Sequence, residues 1–121
     1  MNEEEKEISK MKEEDVKPNI KTYNKVMNAN SDNVERVEEL WKEMQENGIQ
    51  PNVVSYNTRL QADTDDLERV ELIWKKMKEN GIKSDGTTYS TMIPVHYKAG
   101  NMDRVKELET EARAAGFAMY Q

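Results

Sequence analysis

The sequence has no cysteine and only one histidine in 121 residues. The lack of cysteine excludes disulfides and cysteine-ligated zinc, and the single histidine, His96, has no cysteine partner, so we expect no metal or other cofactor. No apolar run approaches the roughly 18 residues that a membrane-spanning helix needs, which argues against membrane insertion. The first ten residues, MNEEEKEISK, are acidic and lack arginine, unlike a signal peptide or an organelle transit peptide.

Catalytic motifs are missing as well. The sequence contains no glycine-rich loop for phosphate, no cluster of metal ligands and no nucleophile beside a base. We therefore expect neither an enzyme nor a small-molecule substrate.

Acidic residues outnumber basic ones by 24 to 18, and the formal net charge is −6. Residues 1–15 alone carry seven acids and three bases, a balance of −4, so the rest of the chain is nearly neutral. Negative charge is the wrong sign for an obvious nucleic-acid binder. The abundance of Glu, Lys, Asn and Met, with few prolines, favours helices over sheet.

The chain repeats itself with a period of 33 residues. Residues 20–52 and 53–85 align without a gap and share 15 identities. A third copy, residues 86–121, has two extra residues in the segment HYKAGN, and a half-copy, MKEEDVKPN, lies within residues 1–19. Such a period is typical of stacked helical hairpins, because one hairpin cannot bury its apolar face alone. We predict an all-α, right-handed solenoid with a concave inner face, made of an acidic N-terminal helix and three repeats.

Each repeat is predicted to hold two helices. The first begins near a hydroxyl residue that can cap it, and the second begins at an Asp that is followed three residues later by Glu, a capping-box pattern. A glycine then ends the second helix in the left-handed conformation, with an apolar residue behind it. The predicted caps are Thr22, Ser55 and Thr88 for the first helices and Asp32 and Asp65 for the second, and the glycines are Gly48, Gly81 and Gly116.

The first two repeats are two residues shorter than the third. We expect this to shorten their first helix or tighten its turn, leaving the second helix at full length. Trp41 and Trp74 recur on the inner stripe of the second helix, where core packing is the favoured interpretation. Pro94 falls inside the first helix of the third repeat, where we expect a bend or a break. Ile8 and Met11 would form the buried side of the N-terminal helix.

These patterns resemble the pentatricopeptide repeat family. The residues that carry the resemblance are VVSYNTRL at 53–60, LERVELIWKKMKENGIKSD at 67–85 and YKAGNMDRVKEL at 97–108, and it covers about residues 8–121. Repeats of this family usually have 35 residues, whereas the first two here have 33. The resemblance implies binding of single-stranded RNA along the concave face, one base per repeat, and a location in a mitochondrion or plastid.

The resemblance also implies which residues read the RNA. The residue after the first-helix Tyr would act together with the last residue of the repeat, so that Asn with Asp favours uracil and Asn with Asn a pyrimidine. Ser with Tyr departs from the family pattern. The implied pairs are Asn24 with Asn52, Asn57 with Asp85 and Ser90 with Tyr120; Lys21, Val54 and Thr87 lie where the family sandwiches each base, and Lys98 lies where it faces phosphate.

Two functions remain open at this point. The first is an RNA-binding module within a larger ribonucleoprotein or longer repeat array, since three repeats address about three nucleotides and the groove offers few cations. The second is a protein-binding scaffold that uses the same solenoid surface to hold subunits of a larger complex. The net charge favours the second, and the Asn pairs favour the first.

Overall fold

The computed structural model describes residues 3–13 and 19–117, apart from the side chains of residues 3, 7 and 11–13. The described residues form seven α-helices and no strand, which confirms the all-α fold class. No helix in these ranges is long and apolar enough to cross a membrane. The helices are α1 (Glu3–Glu13), α2 (Ile20–Ala29), α3 (Val34–Glu46), α4 (Val53–Ala62), α5 (Leu67–Glu79), α6 (Gly86–Lys98) and α7 (Met102–Ala114).

The chain divides into two compact units. Residues 1–62 hold α1 to α4, and residues 63–121 hold α5 to α7. In the first unit, α2 packs against α1, α3 and α4, and in the second, α6 packs against α5 and α7. The largest fully buried side chains are Tyr23, Met27, Leu40, Met44 and Leu60 in the first unit and Ile73, Met77, Met92 and Leu108 in the second.

The predicted shortening of the first helix is confirmed. α2 and α4 have 10 residues each, whereas α6 has 13, and α3, α5 and α7 all have 13. The turn after α2 or α4 is one residue longer than the turn after α6, so a helix shorter by three accounts for a repeat shorter by two. Tyr23, Tyr56 and Tyr89 each occupy the fourth position of their helix and are buried, as the alignment of the repeats requires.

The predicted caps of the first helices are wrong by three residues. The side chain of Asn19 accepts a hydrogen bond from the backbone N–H of Thr22, so Asn19 is the cap and Thr22 is the third helical residue. Ser55 stands in the same relation to Asn52 and Thr88 to Asp85, and in both cases the hydroxyl accepts a bond from the cap's own N–H. These hydroxyl residues therefore occupy the position that Glu or Gln usually takes in a capping box.

The predicted caps of the second helices are wrong by one residue. Asn33 and Asp66 cap α3 and α5 by accepting from the N–H groups of Arg36 and Arg69, so Asp32 and Asp65 lie outside the helices. Sequence spacing alone did not separate the two adjacent polar residues, because either could serve as a cap.

The glycine stops of the second helices are confirmed. Gly48, Gly81 and Gly116 have φ values of 74°, 71° and 93°, in the left-handed region. The residue after each glycine donates its N–H to the carbonyl five residues back, as in Ile49 to Met44 at 3.0 Å. This bond is the mark of a Schellman stop.

Pro94 does not break its helix, since α6 continues to Lys98. The carbonyl that loses its hydrogen bond to a proline belongs to the residue four positions earlier, here Ser90. Both Pro94 and Ser90 are exposed. Water can therefore satisfy that carbonyl, and the helix tolerates the proline.

The acidic N-terminal segment forms a helix that packs on α2. Ile8 is 3% exposed, which confirms it as the buried side of α1, and Met11 lies among the side chains outside the described set. Glu5 of α1 forms a two-pronged ion pair with Arg36 of α3. The guanidinium of Arg36 holds the pKa of the Glu5 carboxyl below its usual range, even though partial burial opposes this.

Candidate nucleic-acid interface

The residues after the three repeat tyrosines occupy equivalent positions but differ in exposure. Asn24, Asn57 and Ser90 are each the fifth residue of a first helix, in α2, α4 and α6. Asn24 and Asn57 are 8% and 5% exposed, whereas Ser90 is exposed. Because Asn is a poor helix former and costly to bury without partners, a buried Asn at this position requires a specific hydrogen-bond network.

Asn24 has such a network, and it includes the predicted partner. The side-chain Nδ2 of Asn24 donates to Oδ1 of Asn52 at 3.1 Å, and the hydroxyl of Ser55 donates to Oδ1 of Asn24 at 2.5 Å. Ser55 is fully buried, and the same hydroxyl lies 3.1 Å from Oδ1 of Asn52. The first implied pair, Asn24 with Asn52, is therefore in direct contact.

The network leaves one end of Asn52 available to a ligand. Its Oδ1 accepts from Asn24 Nδ2 and from the N–H of Ser55, which makes Asn52 both a partner of Asn24 and the cap of α4. The side-chain Nδ2 of Asn52 makes no hydrogen bond within the part of the chain that the structure describes, and the residue is half-buried. The Asn52 amide can therefore donate to a carbonyl oxygen on a base edge.

The other two implied pairs are only partly described. Asp85 caps α6 with its side chain, and Asn57 lies buried on α4, but these two residues belong to different units. Tyr120 lies outside the described residues. The pairing of Asn57 with Asp85 and of Ser90 with Tyr120 remains a prediction.

The positions implied to sandwich bases are all exposed. Lys21, Val54 and Thr87 are each the second residue of a first helix, one turn before the residue that follows the repeat tyrosine, and Val54 is 49% exposed. An exposed valine one turn before Asn57 offers an apolar surface to a base face. Solvent-facing side chains at this position are what base stacking would require.

Exposed lysines lie on the first helices of two repeats. Lys98 is exposed at the end of α6, and Lys21 is exposed at the start of α2. Lys25, which the family resemblance did not single out, is also exposed and lies one helical turn after Lys21 on α2. The spacing of four residues was the available signal, because residues four apart share a helix face.

The arginines are engaged by carboxylates and tryptophans instead. Arg59 lies 3.1 Å from Glu38 and 4.6 Å from the ring centre of Trp41, whose edge packs on Tyr56. Arg104 lies 3.0 Å from Glu71 and 4.5 Å from the ring centre of Trp74.

Both tryptophans are therefore core residues, as predicted. Trp41 and Trp74 are 7% and 5% exposed, and arginines lie over their rings, so they do not form stacking platforms for bases.

Burial raises the pKa of the Glu71 carboxyl, but Arg104 and His96 outweigh it and hold that pKa below its usual value. Within the described ranges, no group of His, Cys, Asp and Glu side chains could hold a metal ion.

Comparison with known families settles the class of this repeat. A family model of the pentatricopeptide repeat domain matches residues 8–63, 39–96 and 72–116. The chain belongs to the pentatricopeptide repeat family. No curated protein sequence matches it.

Several solved pentatricopeptide repeat structures share the fold. The protein PPR10 in complex with an 18-nt psaJ RNA element is 27% identical, with a TM-score of 0.71 over 85% of this chain and 16% of that one. The maize PPR10 crystal structure is 24% identical, with a TM-score of 0.64 over 93% of this chain and 17% of that one. The repeat domain of Arabidopsis thaliana protein-only RNase P 1, in complex with tRNA, is 20% identical, with a TM-score of 0.76 over 94% of this chain and 61% of that one. The chain thus spans about a sixth of PPR10.

Proposed function

We propose that this chain is a helical-repeat module that binds single-stranded RNA along the first helices of its repeats, one base per repeat. Its family membership and its likeness to PPR10, which was solved with RNA bound, support this proposal. The observation that carries it is the contact of Asn24 with Asn52, beside the exposed Lys21 and Val54.

The chemistry of that contact suits a pyrimidine. Asn24 is held in place by Ser55, and Asn52 is held as the cap of α4, so both amides are positioned before a ligand arrives. The side-chain amide of Asn52 can donate to the O2 or O4 carbonyl of a pyrimidine. The stem of Lys21 and the side chain of Val54 would cover the two faces of that base, while the Lys21 ammonium reaches phosphate.

The module is proposed to act within a larger ribonucleoprotein or a longer repeat array. Stacking contributes about 1–3 kcal/mol per base before ordering costs, and three repeats address about three bases. Phosphate contacts supply the non-specific part of the affinity for RNA, and the described first helices carry few exposed lysines to make them. Affinity and length of readout would both come from neighbouring repeats.

Side-chain amide resonances of the full chain provide the test. The chain is titrated with an oligouridine and, as a matched control, with an oligoadenosine of the same length, and NMR follows the amides of Asn24 and Asn52. We expect both to shift with the oligouridine at lower concentrations than with the oligoadenosine. Resonances that stay unmoved at millimolar oligouridine would contradict the proposal.

A protein-binding scaffold is the second candidate. It is favoured by the net charge of −6 and by the ion pairs of Arg59 and Arg104 within the protein, which occupy two cations that could otherwise meet phosphate. If the inner row Lys21, Asn24 and Val54 is covered by another protein in the native assembly, the scaffold replaces RNA binding as the function.

A further inference from the structure

A glutamate recurs at the junctions where α1, α3 and α5 each meet the helices that follow them in the chain. Glu5 of α1, Glu38 of α3 and Glu71 of α5 are spaced by 33 residues, and each is bound by helices that follow it in the chain. Glu5 accepts from Arg36 and from Asn30 at 3.3 Å, Glu38 accepts from Arg59 at 3.1 Å, and Glu71 lies 3.0 Å from Arg104 and 2.6 Å from His96.

A large apolar side chain accompanies each of these glutamates. Ile8, Trp41 and Trp74 come three residues after Glu5, Glu38 and Glu71, and all are less than 8% exposed. The face of α1, α3 or α5 that meets the helices following it, here called the outgoing face, thus combines an acid with a buried apolar residue. The helices that pack on this face supply a basic side chain to the glutamate, because charges in a partly desolvated contact must be matched by opposite charges.

α7 breaks this pattern at both positions. Lys106 stands where the earlier helices have glutamate, and Glu109 stands where they have Ile8, Trp41 or Trp74. Lys106 is exposed, and Glu109 lies 3.7 Å from Arg113 of the same helix. The outgoing face of the third repeat therefore has the opposite charge at the position that pairs across every earlier junction.

This face also forms an open groove between α6 and α7. The groove has a volume of about 530 Å³, and its apolar lining consists of Ile93, Tyr97, Met102 and Val105. Its polar lining consists of Lys106, Glu109, Thr110 and Arg113. Because Glu109 lies 3.7 Å from Arg113, the charges of these two offset each other and Lys106 sets the local sign. Tyr97 and Met102 are 64% and 44% exposed. These two side chains give a partner an apolar contact beside the unmatched charge of Lys106.

We propose that this groove is a docking site for an acidic amphipathic helix of a partner protein. The apolar side of that helix covers Tyr97 and Met102, and one of its carboxylates pairs with Lys106. Another repeat of the present kind does not fit, because it would bring the counterpart of Arg36 or Arg104 against Lys106, and like charges at a desolvated junction are strongly unfavourable. The inference stands independently of RNA binding.

A charge-swap experiment tests the complementarity. A second copy of residues 19–52 is appended to the C-terminus of the full chain, in one version unchanged and in the other with the copied Arg36→Glu. Each version is made with native Lys106 and with Lys106→Glu, and amide hydrogen exchange of α7 and of the appended hairpin reports docking. With Lys106, we expect exchange to be on the order of tenfold slower for the Arg36→Glu version.

The reverse order is expected with Lys106→Glu, where the unchanged copy should give the slower exchange. If the unchanged copy protects native α7 as well as the Arg36→Glu copy does, the proposal is wrong. Sedimentation of the unextended chain over a range of concentrations tests whether a second copy of the chain occupies the groove, and we expect a monomer. A dimer that Lys106→Glu weakens would assign the groove to a second copy of this chain and overturn the proposal.

Discussion

Asn52 has a structural role and a proposed RNA-binding role, and a single substitution can separate the two. Its Oδ1 caps α4 and accepts from Asn24, while its Nδ2 is the group proposed to meet a base. Asp in its place keeps the accepting oxygen and is at least as good an N-cap, because a negative charge is favoured at a helix N-terminus. Asn52→Asp should therefore preserve the fold and change only the donor offered to RNA.

Asn52→Ala is the matched variant that loses both roles. It removes a cap worth about 1 kcal/mol and one side-chain hydrogen bond worth about 1 kcal/mol, a total of about 2 kcal/mol of unfolding free energy. For a domain of this size, this corresponds to a Tm lower by roughly 6–10 °C. Asn52→Asp should change the Tm by less than about 2 °C under the same conditions.

RNA binding should separate the two variants in a different way. Asn52→Asp replaces the amide with a carboxylate, which can accept from the N3–H of uracil but meets only an acceptor at N3 of cytosine. The family pattern, in which Asn with Asp favours uracil, implies the same direction. We expect the ratio of affinities for oligouridine and oligocytidine to rise by about five- to tenfold, which is the effect of one hydrogen bond. Thermal unfolding followed by circular dichroism and NMR titration with both oligonucleotides would measure the two effects.

Two results would refute this reasoning. A Tm that falls as far for Asn52→Asp as for Asn52→Ala would show that the Nδ2 group, and not the capping oxygen, supports the fold. An unchanged ratio of uridine to cytidine affinity in Asn52→Asp would show that this side chain does not meet the base.

Further predictions concern the remaining reading positions, a helix stop and a junction. Asn57→Ala should weaken RNA binding of a chain fused to neighbouring repeats by about 1–3 kcal/mol, and Lys98→Ala should reduce the salt dependence of that binding, both in fluorescence anisotropy titrations. Gly48→Ala should lower the unfolding free energy by about 1 kcal/mol in urea denaturation, because φ is +74° although a Cβ there meets nothing within 4 Å. Gly86→Ala is the control and should be neutral or stabilising, since it lies in a helix and its Cβ would meet Phe117 at 3.6 Å, an ordinary contact. Because the folded-state pKa of Glu71 is lowered from 4.5, its contribution is present above pH 4.5 and lost as the pH falls below it. Urea denaturation should therefore find Glu71→Gln less stable than the native chain at pH 7, and this difference should shrink as the pH falls below 4.5 and through the lowered pKa of Glu71.

Local sequence determined most of the architecture. The period of 33 residues, the helix stop at Gly48 and the shortened α2 and α4 could all be predicted, because apolar spacing, glycine and chain length act within a few residues. Even there, the choice of cap was decided by geometry, since Asp32 and Asn33 are equally good N-cap residues and it is Asn33 that accepts from a free N–H group of α3.

Only the tertiary structure decided how the proposed base-reading residues are held. Asn24 and Asn52 are 28 residues apart, and Ser55 joins them through a buried hydroxyl that the sequence suggested only as a cap. The same holds for the junction glutamates, whose partners lie 21 to 33 residues away. Such contacts depend on which helices pack together, and packing is set by the whole buried surface rather than by any local pattern, so the residues could be named from the sequence but their hydrogen bonds and exposure could not.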